Sequence, residues 1–484
     1  MLVTMPSQRQ VVGLLACISI ASFFLTAVMH RDAAPGFLKF HDKHPAPAKD
    51  AKEPKRPTYK PVPEYIPPPI KDNFPLLSRS SQPPPIPKWN VPQKDLHKKY
   101  DLPIAPPLLI GFSRSWPILL QAVVSYLTAG WPADQIYVVE NTGVQQANTR
   151  GQLSLQNPFH LNHTTLKTLG VNIIQTPTLL SFAQLQNFYL SLTYSHDWPY
   201  YFWSHMDVLA LSYEDGHEMT PKYNEEGYKS LYTLALQALQ QARKDDPRWG
   251  IRFFAYDHLA LVNPEAYEDV GGWDTMIPYY ITDCDMHSRL AMRNWTMKDA
   301  KAGIITDVST TLDDLAALYR LENVETKFTD PNPPPPENED SKKNARGLSE
   351  GVARRDATAA RLPPSTMLGK RARVAAYRGD LQERGGDEQK EDENLSRWRK
   401  LLKTADTMFH YKHGNRGRNT WQTGQRGGEG EPFYYNAAGL AEAIELTTEN
   451  GKEVYRRKWG HRDCDLRQGA GLTFGDQWLV EKDW

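Results

Sequence analysis

LLIGFSR (Leu108–Arg114), IYVVENTG (Ile136–Gly143), VNIIQTP (Val171–Pro177) and YYFWSHMDV (Tyr200–Val208) are four apolar runs of strand length, most of them closing on polar residues. Between them, SWPILLQAVVSYLTAG (Ser115–Gly130) and SFAQLQNFYLSLTYSHDW (Ser181–Trp198) carry apolar residues at helical spacing. Strands alternating with helices of about 10–18 residues predict βαβ units. The fold class expected is therefore α/β, with a mostly parallel central sheet and flanking helices. Ligands of such sheets gather at the carboxyl ends of the strands. Those ends carry Ser113 and Arg114, Glu140 and Asn141, and His205-Met206-Asp207. No GxGxxG follows the first strand, which argues against a dinucleotide cofactor.

Downstream, the spacing predicts a helix over Tyr228–Lys244, and WGIRFFAYDHLALVNPEAY (Trp249–Tyr267) reads as strand, turn and strand. Gly271-Gly272-Trp273-Asp274 follows, and nine residues after Asp274 comes Asp283-Cys284-Asp285, at the start of a helix expected to run to Met292. Three carboxylates so close together repel. They are tolerated facing water, binding a cation or holding a perturbed pKa with a catalytic task; a plain acidic helix start, favoured by the dipole, is the structural alternative. AGIITDVST (Ala302–Thr310) is a further strand candidate. Residues 323–393 turn proline-rich and charged, as a disordered insertion does. Order is expected again over 394–484, with a helix near Gly439–Glu449 and Tyr455 and Trp459 beyond it.

Ahead of Leu108 the chain changes character. Residues 1–10 form a short tail, and 11–29 read VVGLLACISIASFFLTAVM, with no charge. At 1.5 Å per residue that run reaches about 28 Å, enough for a bilayer core of about 30 Å, so an uncleaved signal anchor is expected, with a cleaved signal peptide as the competing reading. Residues 30–107 are rich in proline and read as a disordered, extended stem. Asn162-His163-Thr164, Asn294-Trp295-Thr296 and Asn394-Leu395-Ser396 are acceptor sequons that permit a glycoprotein in the secretory lumen. Outside the apolar run only Cys284 and Cys464 remain, for which one bridge is possible. The formal net charge of +0 gives no field for nucleic acid, so no nucleic-acid partner is expected.

His205-x-Asp207 closes an aromatic strand, where an imidazole and a carboxylate can hold a divalent ion; a carboxylate capping the next turn is the alternative. His410-Tyr411-Lys412-His413 is a second cation-handling candidate, or a solvated basic loop. With Arg416 and Arg418 it makes a basic stretch suited to phosphates, to which Lys458 in YRRKWG could add.

Taken in order, these motifs resemble inverting nucleotide-sugar glycosyltransferases of the GT-A fold, a Rossmann-like architecture, and most closely the family-2 type. That group shows Gly-Gly-aromatic-Asp, then Glu-Asp-x-Asp-hydrophobic, then Arg; this chain has Gly271-Gly272-Trp273-Asp274, Thr282-Asp283-Cys284-Asp285-Met286 and Arg289. The resemblance spans 108–311 and more weakly 395–466. It implies that Asp283 is the catalytic base and that Gly272, Trp273 and Asp274 face the acceptor. Ser113, Arg114, Glu140, Asn141 and Lys458 are the donor-binding candidates. Asp207 and His205, with His410 or His413, would hold Mn²⁺ or Mg²⁺ against the donor diphosphate. His205 stands where the group has an acid, and Thr282 where it has Glu.

The domain layout expected is a catalytic domain over 108–322, completed by 394–484, behind a transmembrane helix. The function expected is transfer of a sugar from a nucleotide-sugar donor to a glycan, glycoprotein or glycolipid hydroxyl. The setting is a single-pass type II membrane protein of the Golgi or endoplasmic reticulum, with its catalytic domain in the lumen. The competing expectation is a catalytically inactive lumenal carbohydrate- or nucleotide-binding protein on the same scaffold. A carbohydrate hydrolase using Asp283 and Asp274 is the third, disfavoured by the lack of a repeating barrel pattern.

Overall fold

The computed structural model describes residues 56–61, 64–67, 69–80, 82–330, 392–414, 426–432 and 436–483. The apolar run at 11–29, Arg416, Arg418 and most of the 323–393 segment lie outside the described residues. Among the described residues no helix is long and apolar enough to cross a membrane. The chain forms two units, Met1–Tyr65 and Ile66–Trp484. The described part of the first, residues 56–61 and 64–65, has no regular structure.

In the second unit the strands are β1 (Leu108–Phe112), β2 (Ile136–Glu140), β3 (Asn172–Gln175), β4 (Tyr201–Ser204), β5 (Val208–Leu211), β6 (Trp249–Phe254), β7 (Leu259–Val262), β8 (Thr296–Ala300) and β9 (Ile304–Asp307). The helices are α1 (Pro75–Arg79), α2 (Trp116–Thr128), α3 (Gln145–Thr149), α4 (His163–Thr168), α5 (Phe182–His196), α6 (Leu231–Asp245), α7 (Pro264–Asp269), α8 (Thr282–Met292), α9 (Glu393–His413) and α10 (Ala437–Trp459). Seven strands form one sheet in the order β3-β2-β1-β4-β7-β6-β8. β1, β2, β3 and β4 run parallel, β7 runs against β4 and β6, and β8 is parallel to β6. The architecture is α/β with a mostly parallel central sheet, as the alternation predicted.

Alternation along β1 shows why both faces are covered. Leu108, Ile110 and Phe112 join one core with α2 and α6, while Leu109 joins a second core with α5, α7 and α8. Successive strand residues point to opposite faces, and a parallel sheet buries both. Each fully buried Leu or Phe contributes about 1.5–3 kcal/mol. α5 starts on a capping box in which Ser181 and Gln184 satisfy each other's backbone N–H groups.

Three elements differ from the sequence reading. YYFWSHMDV is two strands: β4 ends at Ser204, and β5 leaves the main sheet to pair with β9. His205-Met206-Asp207 is the step between them. β8, TMKDA, is an edge strand without the apolar signature that marks the others. α10 continues to Trp459, well past Glu449, because Thr448, Gly451, Tyr455, Lys458 and Trp459 form its buried face.

Candidate functional site

The carboxyl edge of the sheet collects the polar strand ends. Phe112 pairs with Glu140, so β1 and β2 end side by side, while Ser204 at the end of β4 pairs with Ile110, two residues short of them. Beyond β1, Arg114 is 9% exposed. Among the described residues it has no carboxylate partner, and its Nε is buried with no acceptor. Burial pulls its pKa down, opposed by the neighbouring Tyr279 phenol. Ser115, next in the chain, has φ +74° and begins α2. Its N–H donates to the Pro158 carbonyl at 2.8 Å, which fixes the turn that carries Arg114.

Glu140 has the opposite character. It is fully buried, and its two oxygens accept from Asn148 Nδ2 at 2.8 Å, Thr142 Oγ1 at 3.2 Å, Gln175 Nε2 at 2.9 Å and His163 Nε2 at 2.9 Å. Burial raises its pKa, but these bonds outweigh it and leave the carboxyl below its usual value. The expected contact with a nucleotide meets a carboxylate whose acceptor sites are taken by the protein. Asn141 likewise clamps Leu180, accepting from its N–H at 2.7 Å and donating to its carbonyl at 2.9 Å.

At the β4–β5 step, Asp207 meets Asp307 from the end of β9, and Lys412 from the last turn of α9 lies between them. Lys412 Nζ is 2.6 Å from Asp207 Oδ2, 2.6 Å from Asp307 Oδ1 and 3.1 Å from the Val308 carbonyl. The other two oxygens face imidazoles. Asp207 Oδ1 is 3.6 Å from His205 Nδ1, and Asp307 Oδ2 is 2.9 Å from His413 Nε2 and 3.8 Å from His258 Nε2. The histidines and Asp257 form a half-open rim over this buried trio. Burial opposes charge on His205, yet Asp207, Asp257 and Asp307 outweigh it and push its pKa up to about 9. On His258 burial wins over Asp307 and lowers the pKa. Asp207 is held well below the carboxylate range: burial is outweighed by His205 and Lys412.

The rim continues through the hairpin between β6 and β7. In the four-residue loop between β6 and β7, Ala255 and Tyr256 have φ +51° and +65°, uncommon values for residues with side chains. The turn is tied to β4 by the His258 carbonyl, which accepts from His205 N–H and Ser204 Oγ, both at 3.0 Å. It sets Asp257 Oδ2 3.8 Å from His205 Nε2 and the Tyr256 hydroxyl 3.5 Å from Asp283 Oδ2. Asp283 is part-buried in the first turn of α8. His205, His413 and Asp283 therefore lie along one rim, with Asp207 buried beneath it. His410 does not join it: it extends along α9, with Nδ1 3.9 Å from Asp406.

The GGWD turn lies behind α8. Gly272 has φ +73°, and a Cβ there would come within 2.8 Å of Asn187 Oδ1. Asn187 brackets Trp273, accepting from its N–H at 2.8 Å and donating to its carbonyl at 2.9 Å. Trp273 is 4% exposed and packs edge-on against Phe182. The Trp273 ring is part of the second core. Lys458 Nζ joins Asp274 Oδ2 and Asp285 Oδ1, each at 2.7 Å, and Asp285 also receives Arg289 Nε at 2.8 Å and Trp459 Nε1 at 2.9 Å. Lys458 is thus an internal counter-ion of these acids and is 3% exposed, not a group turned toward a donor. A disulfide joins Cys284 to Cys464.

The sequence reading missed Lys412 as an ion-pair partner, together with Asp307, Asp257, His258, Tyr256 and Tyr279. Asp307 closes β9, but the strand predicted over Ala302–Thr310 ran past it, so its place at a strand end was not read. The 255–258 turn carried none, because left-handed Ala and Tyr are not foreseen from sequence.

No family model and no curated protein sequence matches this chain. Solved structures give faint likenesses. A mannosyltransferase from Pyrobaculum calidifontis, described in complex with GDP-Man and Mn²⁺, is 14% identical with a TM-score of 0.26; the match covers 42% of this chain and 61% of that one. A cytidylyltransferase from Leptospira borgpetersenii serovar Hardjo-bovis is 8% identical with a TM-score of 0.27, over 41% of this chain and 76% of that one. Superpositions this weak place no residue of the site.

Proposed function

We propose that this chain is a glycosyltransferase that moves a sugar from a nucleotide-sugar donor to a hydroxyl of a glycan, glycoprotein or glycolipid, with inversion at the anomeric carbon and on a GT-A-type fold. Arg114 carries the reading. A guanidinium buried without a carboxylate is costly unless a ligand supplies the missing charge. Its planar donors suit phosphate oxygens, and it stands at the strand edge where ligands of α/β sheets gather.

Asp283 supports the other half. It is part-buried on the rim, with a carboxylate that no cation neutralises among the described residues. In the proposed step Asp283 takes the proton of the acceptor hydroxyl as that oxygen bonds to the anomeric carbon. The bond from that carbon to the phosphate oxygen breaks, and its electron pair leaves with the nucleoside diphosphate, whose charge Arg114 meets. A type II anchor with the catalytic unit in the lumen belongs to the same proposal. The apolar run at 11–29 supports it, as does the Cys284–Cys464 disulfide, which suits an oxidising compartment.

The test is a screen of nucleotide-sugars for release of nucleoside diphosphate by the full chain, with and without Mn²⁺. Turnover of at least one donor is expected, falling about a hundredfold or more in Asp283→Asn, in line with loss of a general base. Nucleotide binding without turnover of any donor would identify a non-catalytic binding protein instead.

A further inference from the structure

We infer that Lys412 is the resident counter-cation of the Asp207–Asp307 pair, and that the pair is closed to a divalent metal. Asp207 was the acid expected to hold Mn²⁺ or Mg²⁺, so the fit of an ion can be judged from its surroundings. Mg²⁺ bonds oxygen at about 2.0–2.1 Å and demands octahedral geometry. An ion on Asp207 Oδ2 and Asp307 Oδ1 would have to stand where Lys412 Nζ stands. That ammonium spends its three donors on these two oxygens and the Val308 carbonyl. Asp307 Oδ2 is hydrogen-bonded to His413 Nε2, and Asp207 Oδ1 faces His205 Nδ1. Among the described residues no group of three His, Cys, Asp or Glu side chains is arranged to hold a metal ion.

Lys412 is also placed so that it does not move aside easily. It is 4% exposed and sits in the last turn of α9, where cations are favoured by the helix dipole. Its departure would leave two carboxylates together in a buried site. For the donor the consequence rests on the transferase reading: phosphate charge would be met by Arg114 rather than by a divalent ion, and nucleotide binding would not need one.

Titration of the chelator-stripped full chain with Mn²⁺, followed by electron paramagnetic resonance and by Tm, tests this. The wild type is expected to take up no stoichiometric Mn²⁺ and to show no Tm response, while UDP or GDP binds equally, within about twofold, in chelator and in Mn²⁺. Lys412→Ala frees the pair: its Tm should fall in chelator and recover as one equivalent of Mn²⁺ binds, because a ligand of the folded state stabilises it. Lys412→Met, which keeps most of the stem, serves if Lys412→Ala does not fold. Stoichiometric Mn²⁺ on the wild type that is lost in Asp207→Asn would overturn the inference, and so would a folded Lys412 variant that takes up no Mn²⁺. Failure of the transferase reading would appear separately, as absent nucleotide binding with the Mn²⁺ result unchanged.

Discussion

Arg114 brings a guanidinium to a place where about a tenth of its surface meets water, and among the described residues no acid comes to meet it. On the proposed function, such a residue serves binding at the expense of stability. Arg114→Met is expected to raise Tm slightly and to weaken UDP or GDP about 10–100-fold by calorimetry, the range of a charge-assisted hydrogen bond worth about 1.5–3 kcal/mol. A fall in Tm with unchanged affinity would make it a structural residue. His205 gives a pH test. Its folded pKa, pushed up to about 9, lies above the ordinary 6.5. Its contribution is therefore fully present below about pH 6.5 and is lost as pH rises through about 9. Denaturation at pH 6 and pH 9.5 should show the wild type losing about 1–3 kcal/mol more than His205→Gln across that interval. Equal losses would remove His205 from the ion-pair network. At this scale the sequence marked Arg114 and Asp207 as polar ends of apolar runs and Asp283 as part of an acidic helix start. It did not reveal that Glu140 is hydrogen-bonded within the protein or that Trp273 is covered, because residue type does not tell whether a polar group is already satisfied or an aromatic ring already buried.

The elements explain the rest. β1, β2, β3 and the parallel half of the sheet were legible because apolar runs and intervening helices repeat a pattern set by backbone geometry. The step at His205-Met206-Asp207 was not, since nothing in an apolar run marks where a strand leaves one sheet for another. α8 is the element on which the proposed chemistry stands, and it is pinned at its start: the disulfide holds Cys284, while Arg289, Trp459 and Lys458 hold Asp285. Cys464→Ser is expected to cost about 2–5 kcal/mol, measured by denaturant unfolding against the oxidised wild type. Because Cys284 adjoins Asp283, kcat should fall more than nucleotide affinity. Gly272→Ala meets both the +73° φ and the Asn187 side chain. A loss of about 1–3 kcal/mol is expected from the backbone strain, and Asn187→Gly in the same chain should relieve the contact but not the strain.

At the scale of the molecule the site belongs to two distant parts of the chain. Asp207, Asp274, Asp285 and Asp307 come from the α/β half, and the lysines that neutralise them, Lys412 and Lys458, come from α9 and α10. Composition gave the expectation of order after residue 393, but not that this segment completes the electrostatics of what precedes it; a long separation in sequence hides every such pairing. Breaking a buried ion pair from one side costs about 3–5 kcal/mol, and domains hold only about 5–15 kcal/mol in all. A chain ending at residue 392 is therefore expected to lack the protease resistance of the full chain, as limited proteolysis followed by mass spectrometry would show. Synthesis runs from the amino end, so the four aspartates emerge well before either lysine. Until α9 and α10 have been made, Asp207, Asp307 and Asp274 lack the ammonium groups that neutralise them in the fold, and burying them costs more. The two ammonium groups thus tie the closing of the α/β half to the synthesis of α9 and α10.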